Sequence, residues 1–386
     1  MSSPEKLLDS TTFLLTVSFQ LVAPILPVYL HEVLRASEQE VGVIISLAAV
    51  ASALSRTPSS FWSMRRNTIR ILVFGVILNS IALFGYAVSI NPWMLAFFRI
   101  LHGISFALNY TLMLSLASLI VRPDRAHSSI TAYTSSLAMG LWIGPAIGVM
   151  LSSMISLRLL MLSAALISLT AIASGILFLR TKPELWGDIY YSKAGIIETL
   201  ESLLRRPIMI PTLIYLLYST VIGALLAYGP LKAKIYFGIP DYLIILIFTI
   251  YYLIVFLLRT ILSRSAHAIL NVRLLYLALS SCAIGVLIAG LSQSVSFFVI
   301  GVYLVAIAHG LTFPLTALTV AHIIPASLRI IGNALYLTSW DIGNLLGPVL
   351  VALLLSLTDL STALALISLS AASALFLVGK IIRLIG

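Results

Sequence analysis

The sequence predicts an all-α integral membrane protein of about twelve transmembrane helices, built as two related six-helix halves. Three observations carry this. The 386 residues are 60% hydrophobic and only 9% charged, with a mean hydropathy of +1.11. That leaves too few polar residues to cover a soluble core of this size. The apolar residues fall in blocks of about 20, the helix length that crosses roughly 30 Å of hydrocarbon, and no barrel-type alternation recurs. Finally, residues recur between the two halves at one fixed offset.

Breaks at charged residues, Pro and Asn place the elements in order. The first half runs Thr11–Tyr29, Val41–Trp62, Ile69–Ile90, Trp93–Val121, Ile130–Ile155 and Leu159–Leu179. The second runs Pro211–Tyr228, Leu243–Leu262, Leu274–Leu291, Val295–Ile323, Ile330–Leu357 and Leu360–Leu384. Between them lies the longest polar stretch, Arg180–Arg206. Its Lys193–Arg206 part reads as an amphipathic surface helix, with Ile196, Ile197, Leu200, Leu203 and Leu204 on the apolar side. The expected organisation is a bundle over 1–179, a linker over 180–208 and a bundle over 209–386. Met1–Ser10 is polar and has no cleavable signal pattern, which implies direct insertion with the N-terminus retained.

The formal net charge of +10 comes from basic residues scattered through short loops, a pattern that orients a membrane protein rather than one that binds nucleic acid. With the N-terminus inside, sixteen Lys and Arg lie in inner segments. Only Arg35, Arg158, Lys232 and Lys234 lie outside. Both termini and the linker are therefore expected in the cytoplasm. Cys282 is the only cysteine, so there is no intramolecular disulfide and no thiolate metal site.

The halves share a register. Arg56-Thr57 recurs as Arg259-Thr260, Arg70 as Arg273, and Gly144-Pro145 as Gly347-Pro348, all at a shift of 203. Tyr133 and Tyr336, Ser135 and Thr338, Ser136 and Ser339, and Gly140 and Gly343 keep the same shift, while His102-Gly103 and His309-Gly310 differ by 207. Two parallel repeats related by an axis along the membrane normal suit a rocking, alternating-access transporter.

Over essentially its whole length the chain resembles the major facilitator superfamily. The resemblance rests on Pro24-Ile25-Leu26-Pro27, on Arg99 followed by His102-Gly103, and on Gly140-x3-Gly144-Pro145-x2-Gly148 in the fifth span. The last is similar to a motif of the superfamily's drug and proton antiporters. Of the family's loop between helices two and three only the basic part, Arg65-Arg66, is present. Thr57 stands at the glycine position and Phe61 at the acid, which removes the usual cytoplasmic gating contact from what the resemblance implies.

Of thirteen acidic residues, Asp341 alone falls deep in a span, about twelve residues from Arg329 and so roughly 18 Å along the helix. A carboxylate there must be paired or neutral. It is a candidate for proton coupling or cation coordination, or else for an interhelical hydrogen bond. Arg99 keeps its charge and needs an acceptor or water; the resemblance implies help in proton transfer or in holding helices together. Gly140, Gly144, Pro145 and Gly148, with Gly343, Gly347 and Pro348, allow close helix approach and bending. The resemblance places the first, fourth, seventh and tenth helices around a central cavity. Candidates there for substrate contact are Gln20, Asn109, Tyr110, Tyr215, Tyr218 and Phe313, with His309 as a further titrating group. Arg56 and Arg259 are expected to snorkel from the cytoplasmic ends as structural residues.

Neither a Gly-rich phosphate loop, a His/Cys metal cluster nor a nucleophile elbow is present, and the loops are short, so no enzyme, cofactor or metal is expected. The function expected is secondary transport of a small solute by a monomer in the cell membrane. Proton-coupled efflux of amphipathic or drug-like compounds is the first reading and uptake of a sugar or organic acid the second. A non-transporting sensor that works through the linker is the third.

Overall fold

The computed structural model describes residues 3–65, 68–122, 126–182, 201, 207–263, 272–324 and 329–385, and they are helical throughout, joined by short turns. In the first half α1 spans Pro4–Gln20, α2 Leu26–Val28, α3 Glu38–Arg65, α4 Thr68–Val88, α5 Pro92–Leu119, α6 Ala126–Ser152 and α7 Leu157–Thr181. In the second, α8 spans Met209–Phe237, α9 Asp241–Ser263, α10 Val272–Leu291, α11 Val295–Ile323, α12 Arg329–Leu354, α13 Leu360–Leu366 and α14 Ser368–Ile385. Among the described residues eleven helical spans, ten single helices (α3 to α12) and α13 with α14 taken together, are long and apolar enough to cross a membrane. With the first span they form the twelve-helix fold. Apart from Glu201, the expected helix at Lys193–Arg206 lies outside the described residues, as do Arg66 and the side chain of Arg65.

Local sequence sets the helix starts. Asn91, Ser156, Ser294 and Asp359 each stand in extended backbone, and each side chain accepts an N–H of the first turn, the bond that would otherwise be orphaned. The first span departs from the expected continuous helix. Regular α-helix ends at Gln20, and the chain passes through turns to α2 and a π-helical turn over Tyr29–Val33. Pro24 and Pro27 explain the break, since neither donates an N–H and each ring crowds the turn before it. The last span is also divided, at Ile367, by a break that no nearby proline or glycine explains.

Both sets of helices pack alike. In the first, α1 lies on α6 and α7, α4 on α5 and α7, and α3 on α5; in the second, α8 lies on α12 and α14, α10 on α11 and α14, and α9 on α11. The glycines make the first of these contacts possible. A β-carbon on Gly144 would stand 2.8 Å from the Val17 carbonyl oxygen, and one on Gly148 2.6 Å from that of Leu21. In the copy, Gly343 would meet the Leu216 oxygen at 2.7 Å and Gly347 the Ala224 nitrogen at 2.6 Å. These neighbours are main-chain atoms of α1, of the Leu21 that caps it, and of α8, and cannot rotate away, so only glycine permits such an approach. Outward faces are apolar, as Phe74, Ile81, Phe84 and Leu166 on α4 and α7 illustrate, which suits contact with lipid.

The halves meet along two seams, α3 on α12 and α6 on α9. At the ends away from the linker they are joined directly. The Tyr228 hydroxyl donates to the Glu38 carbonyl at 3.0 Å, and Lys234 Nζ lies 3.5 Å from Glu32. Lys232 is not the loop residue its charge suggested. It is fully buried in α8, where its ammonium donates to the Gly290 carbonyl oxygen and, at 3.0 Å, to the Ser361 hydroxyl. A buried ammonium needs such acceptors, and these fasten α8 to α10 and α13.

Candidate functional site

A cavity of about 300 Å³ lies between the halves. It runs from Pro24 and Pro27, near the ends that touch, towards Leu114 and Tyr133 on the linker side. Sequence reasoning placed Gln20, Arg99, Tyr110, Tyr215, His309, Phe313 and Asp341 at or near such a site, and all seven line it. Two further candidates do not. Asn109 is fully buried, donating to the Ser105 hydroxyl at 3.0 Å with its oxygen pressed towards Gly75 on α4, so it serves the α4–α5 contact. Tyr218 is fully buried behind Tyr215, ring on ring at 5.8 Å, and its hydroxyl has no partner among the described residues.

The centre of the site is an ion pair across the seam. Arg56 on α3 donates from Nε to Asp341 Oδ2 at 2.7 Å and from Nη2 to Oδ1 at 2.9 Å, a parallel two-bond fork. Both side chains are 2% exposed. The rest of the guanidinium is satisfied by Thr111 at 2.9 Å and Ser52 at 3.1 Å, with the Phe106 ring 5.7 Å from its carbon. Two charges withdrawn from water survive only with this degree of pairing. This corrects the snorkelling reading of Arg56, whose side chain is drawn inward by the carboxylate instead of reaching the membrane surface. Of the roles left open for Asp341, the interhelical bond is present, and it joins helices of different halves.

Arg259, the copy of Arg56, also lines the cavity and does not snorkel. Among the described residues its polar bond is from Nη2 to the His309 carbonyl at 3.4 Å, its Nε is unpartnered, and its charge lies over the Phe313 ring at 5.3 Å. Arg99 donates to the Ile45 carbonyl at 2.6 Å and the Tyr86 hydroxyl at 3.3 Å, so it clamps α5 to α3 through main chain. The same Tyr86 hydroxyl bonds His102 Nδ1 at 2.8 Å, while His309 Nδ1 meets the Tyr251 hydroxyl at 2.7 Å.

Aromatic rings form one wall. Tyr215 stacks on Tyr336 at 4.6 Å and on Trp340 at 5.6 Å, and Trp340 also meets His309 at 5.6 Å. Trp340 precedes Asp341, so a flat apolar surface adjoins the ion pair. Sequence reasoning missed Trp340, Tyr252 and Phe106, which also line the cavity. Apolar spans carry many aromatic residues, and nothing in their spacing marks the ones that face inward. Gly140, Gly144, Pro145, Gly148, Gly343, Gly347 and Pro348 lie outside the lining, in the packing beside it. Among the described residues no group of His, Cys, Asp and Glu is arranged to hold a metal ion.

A search of curated proteins finds no significant match. Among solved structures, the chain is similar to a bacterial homologue of the human lysosomal transporter Spinster, inward-facing and unoccupied, at 16% identity and TM-score 0.71 over 99% of this chain and 95% of that one. It is similar to a mutant of the nucleoside transporter NupG at 13% identity and TM-score 0.74, with both chains fully covered. It is also similar to the human organic anion transporter MFSD10 (TETRAN), at 17% identity and TM-score 0.72 over 98% of this chain and all of that one. These likenesses establish the fold. The family description Major Facilitator Superfamily matches residues 8–348, close to the entire chain, and with the two-half architecture around one cavity it makes the protein a multi-pass membrane transporter of the major facilitator superfamily.

Proposed function

We propose that the protein is a proton-coupled secondary transporter that carries an amphipathic solute by alternating access, working as a monomer in the cell membrane. The observation that carries this reading is the buried Arg56–Asp341 pair, which ties α3 of one half to α12 of the other beside the cavity. While Asp341 is ionised, the fork holds the seam closed. A proton on Asp341 removes the negative charge that Arg56 faces and leaves the guanidinium with the neutral Thr111 and Ser52 hydroxyls. The seam then loses its strongest contact and the halves can rock.

The basic-residue bias supports a cytoplasmic linker and cytoplasmic termini. On that orientation the joined ends face outward, and the cavity leads towards the cytoplasm. Export is supported by the glycine and proline sequence of α6, which resembles that of drug and proton antiporters. The aromatic wall beside the ion pair supports a solute with a flat apolar part.

The test is transport in proteoliposomes of a panel of fluorescent amphipathic compounds, driven by an imposed proton gradient. Wild type should move compounds against their gradient, and Asp341→Asn should lose the proton-driven part by at least about tenfold while still binding substrate. Full proton-driven exchange in Asp341→Asn would refute the mechanism. Absence of transport of every compound would favour a sensor.

A further inference from the structure

The shared register of the halves holds an asymmetry. The two seams are copies of one another: α3 on α12, and α9 on α6. Arg56 on α3 corresponds to Arg259 on α9 at a shift of 203, and at that shift Asp341 on α12 corresponds to Ala138 on α6. One seam thus has its arginine and its carboxylate. The other has its arginine and a methyl group where the carboxylate would be. The surrounding register is intact, with Tyr133, Ser136 and Gly140 matching Tyr336, Ser339 and Gly343.

Arg259 is left with donors to spare. A guanidinium carries five N–H groups, and among the described residues this one makes a single long bond, to a main-chain carbonyl, with Nε buried and unpartnered. Its charge lies over Phe313 at the cavity wall. The lining as a whole holds three guanidinium groups, Arg56, Arg99 and Arg259, against the one carboxylate of Asp341. Arg56 is neutralised by Asp341, whereas Arg99, whose Nε is also unpartnered, gives its two bonds to neutral groups, the Ile45 carbonyl and the Tyr86 hydroxyl, in clamping α5 to α3. Of the two lining guanidinium groups that no carboxylate faces among the described residues, Arg259 has the fewer bonds, and it is the one beside the aromatic wall of Tyr215, Phe313 and Trp340.

We propose that Arg259 binds the anionic group of the transported solute, which is an amphipathic organic anion such as an aromatic carboxylate. The solute supplies, in passing, the negative charge that Ala138 withholds from this seam. Its apolar part lies on the aromatic wall, and the fork of Arg259 takes the carboxylate by charge-assisted hydrogen bonds. This rests on the cavity being the transport site, as proposed above, and is independent of proton coupling.

The test is equilibrium binding to purified protein in detergent at pH 7.5, read as thermal stabilisation over a concentration series. The probes are aromatic acids each paired with its uncharged amide, from 2-naphthoate and 2-naphthamide to 4-phenylbutyrate and 4-phenylbutyramide. In wild type at least one acid should bind about tenfold more tightly than its amide, the strength of a charge-assisted bond. Arg259→Gln should abolish that preference, the acid losing far more affinity than the amide, and Arg259→Lys should retain part of it. Ala138→Asp, which restores the missing carboxylate without touching Arg259, should abolish it too, and carries the test if Arg259→Gln does not fold. The proposal is overturned if no acid outbinds its amide in wild type, or if the preference persists in Arg259→Gln or Ala138→Asp. No gradient is present in this assay, so failure of the proton-coupling mechanism at Asp341 would leave its result intact.

Discussion

Arg56 and Asp341 each make the other tolerable. Removing the arginine leaves a carboxylate stranded between helices, whereas removing both charges leaves two neutral side chains able to hydrogen-bond with each other and with Ser52 and Thr111. Arg56→Gln is therefore expected to cost about 3 kcal/mol of stability, read from thermal unfolding of the purified protein. The double variant Arg56→Gln with Asp341→Asn should regain most of that loss. A double variant as unstable as the single one would show that the pair is not what holds these side chains. Asp341 was conspicuous in the sequence as the acid furthest from any loop. Its partner was not, because depth is counted along one helix, whereas the contact joins residues 285 positions apart. Arg56 was visible as half of a repeated Arg-Thr pair, but a repeat says nothing about which way a flexible side chain turns.

Glycine governs how closely the helices of one half can lie. Gly347→Val should destabilise the α8–α12 contact by about 2 kcal/mol or more, because the added carbons meet the main chain of Thr220 and Ala224. A control at Gly175→Ala should change the melting temperature little, since the new carbon would find Val73 at 3.5 Å, an ordinary contact. Equal effects at both positions would remove the packing argument. Elements were the most legible part of this chain. An apolar block of spanning length between polar breaks leaves little choice of structure in lipid, and glycines four apart announce a close neighbour. The divided ends of the first and last spans were harder. Pro24 and Pro27 signalled an ending, but the π-helical turn that follows depends on packing further away.

At the scale of the whole molecule, the contacts at the ends away from the linker must part if the cavity is to open there. Tying Glu32→Cys to Lys234→Cys with a short bifunctional thiol reagent should stop transport, and reduction of a cleavable reagent should restore it. The native Cys282 is fully buried and should not interfere. Transport that continues through the cross-link would contradict a rocking motion about this cavity. The two-half plan was legible because a common register runs through nearly the whole repeat. The identity of the solute was not, since relatives of this fold at 13–17% identity include a nucleoside transporter and an organic anion transporter.

Lys232 has a wider consequence. The acceptors that secure it are an amide carbonyl and a hydroxyl, neither of which takes up a proton in the range where carboxylates do. The contacts between the halves, by contrast, include the carboxylates of Asp341 and Glu32. On the coupling proposed above, a proton on Asp341 loosens the seam between the bundles, while the bonds of Lys232 within the second bundle offer no carboxylate to protonate. Under that coupling the protein changes shape at its seam without its second bundle coming apart.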